Sequence, residues 1–391
     1  MNIKEESLKK HYEWQGKIEM KSRVKVDSTY DLSLAYTPGV AESCMQIHNN
    51  PSDSFKLTRR WNTVPVITDG TAILGLGDIG PAAGMPVMEG KCALFKTFGD
   101  VDAYPICLNT KDTEEIIKTI KIMALSFGGI NLEDISAPRC FEIETRLKQE
   151  LDIPVFHDDQ HGTAIVCTAA LLNALKLAHK KIEEVKIVVN GAGAAGISIA
   201  KFLLSFGAQN IIVCDRKGIL VDGADWLNEP QKELAKLTNK GKLNGTLMDA
   251  MKGADVFIGV SGPNCVSKDM VKSMNEKAIL FPLANPVPEI SYDDAIEAGA
   301  FIVGTGSSVY PNQINNVLVF PGLFRGAIDA KATTVNLEMM HAASIGIAEC
   351  VKEDELRKDY IIPFAFDKLA HKKVAEEVKK AAIKTGVIRK E

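Results

Sequence analysis

The fold is decided by residues 185–197, whose sequence is VKIVVNGAGAAGI. A run rich in β-branched residues leads into the glycine pattern G-x-G-x-x-G, and the small residues that follow through Phe206 are typical of a helix. A second apolar strand, residues 210–214, then ends at Asp215. Strand, glycine turn, helix, strand and terminal acid in this order predict a Rossmann-type unit that binds a dinucleotide.

The glycine turn predicts how a dinucleotide would be held. Two glycines would allow the turn and the close approach of a pyrophosphate, the third would allow tight helix–strand packing, and the helix amino end would face the phosphates. The residues predicted to bind the cofactor in this turn are Gly191, Ala192, Gly193, Ala194, Ala195 and Gly196. Asp215 would accept hydrogen bonds from the adenosine ribose, but Arg216 and Lys217 follow it and could receive a 2′-phosphate. The choice between NAD and NADP therefore stays open.

Upstream of this unit, two pairs of adjacent acids follow short apolar strands. Asp158 and Asp159 lie within residues 153–163, IPVFHDDQHGT, before a long apolar segment with helical periodicity. Glu133 and Asp134 follow another short strand. Adjacent carboxylates repel unless a cation or a shared proton relieves them, and ligands bind at the carboxyl ends of strands in α/β folds. The two pairs therefore predict one shared divalent metal site.

Two further side chains could carry chemistry. Tyr36 stands just before Pro38, which stops a helix and lets a phenol project into a cleft. Lys91 stands beside an apolar run, where partial burial would lower its pKa and make it a usable base. The structural alternatives are a packed tyrosine and a lysine that reaches solvent. Glycine-dense residues 75–84 permit close approach of the backbone to a ligand.

Strands and helices alternate through most of the chain. They predict an α/β fold with an N-terminal α/β catalytic domain, residues 1–162, and a doubly wound Rossmann-type domain with C-terminal helices, residues 163–391. Helices are expected from residue 1 to about residue 25 and over residues 368–384, the latter as a solvated charged helix. Asn285 follows a strand end on the side where a nicotinamide would lie, and residues 311–316 form an amide-rich loop.

Composition excludes several classes of protein. The 391 residues carry a formal net charge of −4, which gives no basic surface for nucleic acid. Eight scattered cysteines form no C-x-x-C pair and suit buried thiols in a reducing compartment. No apolar run is expected to approach the ~18 residues of a membrane span, and no signal sequence is seen at the amino end. A cytoplasmic protein is the prediction.

These motifs together resemble those of the malic enzyme family, especially its short bacterial and archaeal form. The matching stretches are residues 34–41 (LAYTPGVA), 75–80 (GLGDIG), 89–91 (EGK), 131–135 (NLEDI), 156–163 (FHDDQHGT), the dinucleotide turn, 284–289 (ANPVPE) and 312–325. Several are long and unlike generic dehydrogenase motifs, so the resemblance is specific.

The resemblance implies oxidative decarboxylation of (S)-malate to pyruvate and CO₂ with reduction of NAD or NADP. It implies Mg²⁺ or Mn²⁺, which an all-carboxylate ligand set also favours, and a homodimer or a higher homo-oligomer. The implied roles are general acid for Tyr36, general base and substrate contact for Lys91, neighbouring catalytic carboxylate for Asp158, metal ligand for Glu133, Asp134 and Asp159, and substrate or nicotinamide contact for Asn285 and Asn316.

Other interpretations remain at this point. A malolactic-type enzyme would convert malate to lactate with retained NAD, a plain 2-hydroxy acid dehydrogenase would release no CO₂, and a regulatory nucleotide-binding module would not turn over. His157 and His161 suggest zinc, but their neighbours are carboxylates. Larger eukaryotic members carry an arginine in the loop before Gly75, where this chain has Thr71 and Ala72, so the group that holds the distal malate carboxylate is open.

Overall fold

Two sheets organise residues 3–389, the part of the chain that the computed structural model describes. The strands of the first sheet are β1 (Thr63–Thr68), β2 (Asp102–Cys107), β3 (Ile130–Leu132) and β4 (Val155–His157). All are parallel, in the order β2-β1-β3-β4. β1 is buried along its whole length, as expected for an inner strand of a sheet that helices cover on both faces.

Helices precede and surround this first sheet. They are α1 (Ile3–Trp14), α2 (Thr29–Ala35), α3 (Val40–Asn49), α4 (Ser54–Leu57), α5 (Pro81–Gly99), α6 (Thr113–Met123) and α7 (Arg139–Glu150). The Asp112 side chain accepts a hydrogen bond from the Glu115 amide at 2.8 Å and caps α6. The expectation of a helix from residue 1 to about residue 25 is wrong beyond the end of α1, and its first two residues lie outside the described part.

The second sheet is the predicted Rossmann-type sheet. Its strands are β5 (Lys186–Asn190), β6 (Asn210–Asp215), β7 (Gly218–Ile219), β8 (Val256–Gly259), β9 (Ile279–Pro282) and β10 (Ile302–Val303). They lie in the order β10-β9-β8-β5-β6-β7, and β7 alone runs antiparallel to its neighbour. The chain therefore winds outward from β5 in both directions, which confirms the doubly wound α/β fold.

The helices of the second half complete the layers around this sheet. They are α8 (Thr163–Ala178), α9 (Ala194–Ser205), α10 (Glu229–Leu237), α11 (Leu247–Met251), α12 (Lys268–Lys272), α13 (Tyr292–Glu297), α14 (Phe320–Asp329), α15 (Leu337–Ala348) and α16 (Lys368–Lys384). α16 is not the solvated helix that its charges suggest. It buries a stripe at Ala370, Val374, Val378 and Ala382 against α14 and α15.

Within residues 3–389, one helical segment is long and apolar enough to cross a membrane by length and composition. It comprises Asp158–Ala178, 21 residues, with a mean hydropathy of 1.3. The expectation that no run approaches this length is therefore wrong, but 72% of the segment's apolar window is buried inside the protein. Its apolar character is explained by its place in the core.

The two halves of the chain share a hydrophobic core. Phe95 of α5 packs against Phe320 and Phe324 of α14, with ring centroids 4.7 and 5.3 Å apart. Phe324 also meets Phe156 of β4 edge to face. The end of the chain thus packs back onto the first sheet, while a domain boundary between residues 162 and 163 stays a prediction.

Candidate active site

The two acidic pairs lie at the carboxyl ends of neighbouring strands. Glu133 and Asp134 follow β3, Asp158 and Asp159 follow β4, and these strands pair in parallel. Parallel strands end at the same edge of a sheet, so the two pairs converge. One carboxylate oxygen from each of Glu133, Asp134 and Asp159 lies within 4.8 Å of the others. The three residues predicted as metal ligands therefore form one carboxylate cluster.

A short π-helical turn, Asp158–Gly162, joins β4 to α8 and orients two of these acids. A Cβ at Gly162 would lie 1.9 Å from Asp158 Oδ1, so the turn requires glycine there. Asp159 Oδ2 accepts a hydrogen bond from the Asp134 amide at 2.7 Å, which joins the two acidic pairs. Single π-helical turns often occur at functional sites, and the sequence pattern did not indicate this one.

Lys91 is buried beside the carboxylate cluster. It projects from α5, and its Nζ donates to Glu133 Oε1 at 2.6 Å and to Asp158 Oδ2. The same Nζ lies 4.4 Å from the centroid of the Phe320 ring. Asn316 donates its side-chain amide to Asp158 Oδ2. The structure therefore brings together four of the residues singled out from the sequence.

Burial and charge shift the pKa values of this group. Burial works to lower the Lys91 pKa, but the carboxylates of Asp158 and Glu133 outweigh it, and the Lys91 pKa is raised. The expectation that burial lowers this pKa is therefore wrong for this arrangement of charges. Burial, with Asp159 nearby, raises the pKa of Asp134 to about 8. Burial also raises the pKa of Asp158 to about 6 against the opposing attraction of Lys91.

The carboxylate cluster fits a hard divalent cation. Asp134 Oδ2 is buried and has no hydrogen-bond partner among residues 3–389. Carboxylates buried side by side disfavour one another's charge, which a bound cation would relieve. Carboxylate ligands alone favour Mg²⁺ or Mn²⁺ over zinc. Glu133, Asp134 and Asp159 would hold such an ion.

The imidazole of His161 has a partner outside the carboxylate cluster, whereas His157 Nδ1 lies 3.8 Å from Asp159 Oδ2. His161 Nε2 lies 2.8 Å from Glu144 Oε2, and the His157 amide donates to Glu144 Oε1 at 3.2 Å. Burial would raise the Glu144 pKa, but His161 and Lys148 hold it well below its ordinary value. Glu144 thus holds the Asp158–Gly162 turn at both ends, through the His157 amide and the His161 ring. No sequence motif pointed to it, since it lies on the inner face of α7.

The glycine turn after β5 has the predicted geometry. Gly191 has φ +117°, and a Cβ at Gly196 would lie 1.7 Å from Gly191 O, so both positions require glycine. A Cβ at Gly193 would meet nothing within 4 Å, which leaves space in front of the turn. No side chain caps the amino end of α9, so its free amides suit a phosphate. α9 packs against the Asp158–Gly162 turn, which brings the dinucleotide turn near the carboxylate cluster.

Asp215 lies at the carboxyl end of β6, as predicted. Its Oδ2 accepts a hydrogen bond from Gln231 Nε2 at 2.7 Å, and Gln231 Nε2 also donates to the Ala192 carbonyl at 3.2 Å. Lys217 Nζ lies 5.9 Å from the centroid of the Trp226 ring. Gln231 therefore braces the acid against the glycine turn. Sequence reasoning missed this glutamine, which is 16 residues beyond Asp215 and on another element.

Asn285 lies in the loop after β9, where the two halves of the chain meet. A Cβ at Gly75 would lie 2.5 Å from the Asn285 carbonyl oxygen, so the glycine-dense loop approaches this backbone closely. Gly75 has φ +73°, which also favours glycine. The Asn285 side chain donates only a long hydrogen bond, 3.4 Å, to the Leu283 carbonyl. Its amide is therefore available to a ligand.

Tyr36 is not part of this group in its own chain. The residue caps the end of α2 and is 67% exposed. Within the described residues its phenol makes no hydrogen bond or ring contact. The expectation that it projects into a cleft is therefore wrong for a single chain.

The sequence and the structure of the chain match those of known proteins from one family. Residues 15–148 match the family model for the malic enzyme N-terminal domain, and residues 160–383 match that for the malic enzyme NAD-binding domain. A bifunctional malic/malolactic enzyme of Bacillus subtilis is 55% identical over 390 residues, covering 100% of this chain and 95% of the relative. An NAD-dependent malic enzyme of Geobacillus stearothermophilus is 56% identical over 376 residues, covering 96% and 78%. The crystal structure of an NAD-dependent malic enzyme from Thermotoga maritima superimposes with a TM-score of 0.92 at 50% identity, covering 95% of this chain and 98% of that one.

Proposed function

The chain belongs to the malic enzyme family, and on that basis we propose that it oxidatively decarboxylates (S)-malate to pyruvate and CO₂. NAD or NADP is the oxidant, and Mg²⁺ or Mn²⁺ is held by Glu133, Asp134 and Asp159. The observation that carries the proposal is the position of the Lys91 ammonium group in the carboxylate cluster, 2.6 Å from Glu133 Oε1. The helix α9, which follows the dinucleotide turn, packs against the Asp158–Gly162 turn of the same cluster.

The two bound groups have distinct tasks. When bound, the divalent cation would supply a Lewis acid, and the nicotinamide would supply a hydride acceptor. Lys91 receives the proton of the malate 2-hydroxyl as the hydride leaves. The Lys91 ammonium group must first lose a proton. A cation bound to the carboxylates would weaken their attraction for the ammonium group and so favour that loss. Asp158, held by Asn316, orients the Lys91 amine, and Asn285 and Asn316 offer amides to the substrate.

Tyr36 is the proposed acid that protonates the enol carbon, and a second copy of the chain would bring it into place. α1, α2 and α3 contain no buried residue. The chain exposes 19094 Å², whereas a compact monomer of 42.5 kDa exposes about 15,000 Å². The excess is several times the roughly 800 Å² that each partner buries in a standard interface. This supports a homodimer, or a higher homo-oligomer, in which Tyr36 serves the site of the neighbouring copy.

Co-expression of two inactive variants tests this arrangement. A Tyr36→Phe chain and a Lys91→Ala chain would form one complete site in each mixed dimer. Random pairing makes half of the dimers mixed, so we expect activity near one quarter of the wild-type level. Activity no higher than that of either variant alone would show that Tyr36 acts within its own chain or not at all.

We also propose that the protein works in the cytoplasm. All eight cysteines are free, and four of them are buried. Unpaired cysteines throughout a folded chain support a reducing compartment. Fractionation of the native cells, with this protein followed by antibody, would test the assignment.

A malolactic reaction is the second candidate function. One observation favours it: the similar protein of Bacillus subtilis is a bifunctional malic/malolactic enzyme by name. In that reaction malate would yield lactate with no net release of reduced nucleotide. A dehydrogenase that leaves the carboxylate in place would release no CO₂.

Purified protein, malate and Mn²⁺ with NAD or NADP in separate cuvettes would test these functions. We expect reduced nicotinamide and pyruvate in equal amounts, and no product after removal of metal with EDTA. Lactate without reduced nucleotide would favour the malolactic reaction instead. Reduced nucleotide without CO₂ would contradict decarboxylation.

A further inference from the structure

Asp134, a proposed metal ligand, has an unusual backbone conformation. Its φ is +52°, in the left-handed region that few non-glycine residues occupy. Its amide donates to Asp159 Oδ2 at 2.7 Å, and its carbonyl accepts a hydrogen bond from the Ala72 amide at 3.0 Å. The direction of the Asp134 carboxylate therefore depends on the loop that contains Ala72.

Arg139, from the amino end of α7, holds that loop. Its Nη2 lies 2.7 Å from Asp69 Oδ2 and donates to Thr71 Oγ1 at 3.0 Å. Its Nη1 donates to the Lys111 carbonyl at 2.9 Å. Asp69 and Thr71 are only 1% and 7% exposed. The planar guanidinium therefore makes charge-assisted contacts with the segments that follow β1 and β2, and its partners Asp69 and Thr71 after β1 are shielded from solvent.

The same network returns to the segment that carries the metal ligands. Thr71 Oγ1 donates to Asp69 Oδ1 at 2.6 Å and accepts from the Ser136 amide at 2.9 Å. Arg139 Nη2 also donates to Ser136 Oγ at 3.2 Å. The loop thus binds the chain at Asp134 through Ala72 and again two residues later through Thr71.

We propose that Arg139 is a positioning residue for the divalent metal site. Its guanidinium fixes residues 69–72, and that loop fixes the left-handed backbone of Asp134. The hydrogen bonds of Arg139 go to this loop and its neighbours, so it acts through them and not by contact with the carboxylate cluster. The inference rests on the metal ligands of the proposed function.

Arg139→Lys is the test, because lysine keeps a positive charge beside Asp69 but lacks the planar fork. Loss of a residue that orients metal ligands typically weakens metal binding by about 10- to 100-fold. We expect the Mg²⁺ Kd, measured by calorimetry, to rise about tenfold, and the Ca²⁺ Kd to change by less than about threefold, since Ca²⁺ tolerates variable ligand geometry and Mg²⁺ does not. A general loss of stability would weaken the binding of both ions to the same extent.

Arg146→Lys is the matched control on the same helix. Arg146 donates from its guanidinium to Glu142 of α7 and to Glu114 of the neighbouring helix α6, and within the described residues it makes no hydrogen bond to the loop of residues 69–72. Its replacement should leave both metal affinities unchanged. Titration with NADH, followed by fluorescence, would check that each variant keeps an intact dinucleotide site.

Two results would overturn the inference and leave the proposed function standing. One is an unchanged Mg²⁺ Kd in the Arg139→Lys variant. The other is an equal loss of affinity for Mg²⁺ and for Ca²⁺ in that variant. If the wild-type protein failed to bind Mg²⁺ at all, both the metal assignment and this inference would fall. Asp69→Asn covers the case in which Arg139→Lys does not fold; it breaks the same charged contact and should show the same selective loss of Mg²⁺.

Discussion

Lys91→Ala would remove the ammonium group that lies between two buried carboxylates. Glu133 and Asp158 are 5% and 0% exposed. Removal of one partner from a buried ion pair typically costs about 3–5 kcal/mol, because an uncompensated charge stays in the interior. Asp158 keeps the Asn316 amide, and its pKa, raised to about 6, eases protonation. We therefore expect a loss near the lower limit, about 3 kcal/mol.

Thermal unfolding in EDTA would measure this loss. For a chain of 391 residues, a loss of about 3 kcal/mol lowers the midpoint by about 4 °C. Saturating Mn²⁺ should reverse most of the shift, because a cation bound to the folded state compensates the same carboxylates. Turnover of malate should be lost, while NADH binding stays near the wild-type level.

Lys96→Ala is the matched control on the same helix. Lys96 pairs with Asp100 and Asp102, but its side chain is 54% exposed. Such a pair is typically worth less than about 1 kcal/mol, so stability and activity should change little. A wild-type midpoint for Lys91→Ala in EDTA would refute the charge argument, and near-normal turnover would refute the role of Lys91 as base.

Three further predictions concern the acid, the metal and the cofactor. Tyr36→Phe should slow enol protonation more than hydride transfer, as the ratio of pyruvate to reduced nucleotide would report; equal slowing would make Tyr36 a positioning residue. Asp159→Asn should weaken Mn²⁺ binding at least about tenfold in a paramagnetic resonance titration, and unchanged affinity would remove it from the ligand set. Gly193→Ala should fold normally, because its Cβ enters only open space. It should bind NADH weakly, because that space is where the pyrophosphate is proposed to lie. Gly196→Ala, whose Cβ would lie 1.7 Å from Gly191 O, should lower the unfolding midpoint, and equal midpoints for the two variants would contradict this reasoning.

The sequence predicted those features that depend on local patterns. The dinucleotide turn, the order of strands and helices and the position of both acidic pairs follow from hydrophobic periodicity and from turn chemistry. Parallel strands end at one edge of a sheet, so the convergence of Glu133, Asp134 and Asp159 was also predictable. Their assignment as metal ligands stays a prediction.

Features that depend on contacts between distant segments were not predictable. The sign of the Lys91 pKa shift is set by Asp158 and Glu133, which follow β4 and β3, whereas Lys91 lies on α5. Glu144 and Gln231 support the site from helices that carry no motif. The buried stripe of α16 could have been found, because its apolar residues recur every four positions, but the surrounding charges obscured it.

The packing of α14 on α5 has a consequence for synthesis of the protein. Phe320 and Phe324 cover Phe95, and the Phe320 ring also lies beneath the Lys91 ammonium group. The ribosome makes about 160 more residues between Asp159 and Phe320, which takes on the order of 10–30 s at about 5–20 residues per second. During that interval Phe95 lacks its two aromatic partners from α14, although α5 can already pack on β1 and β2. Lys91, the proposed base, is therefore translated early, but its contact with Phe320 forms late.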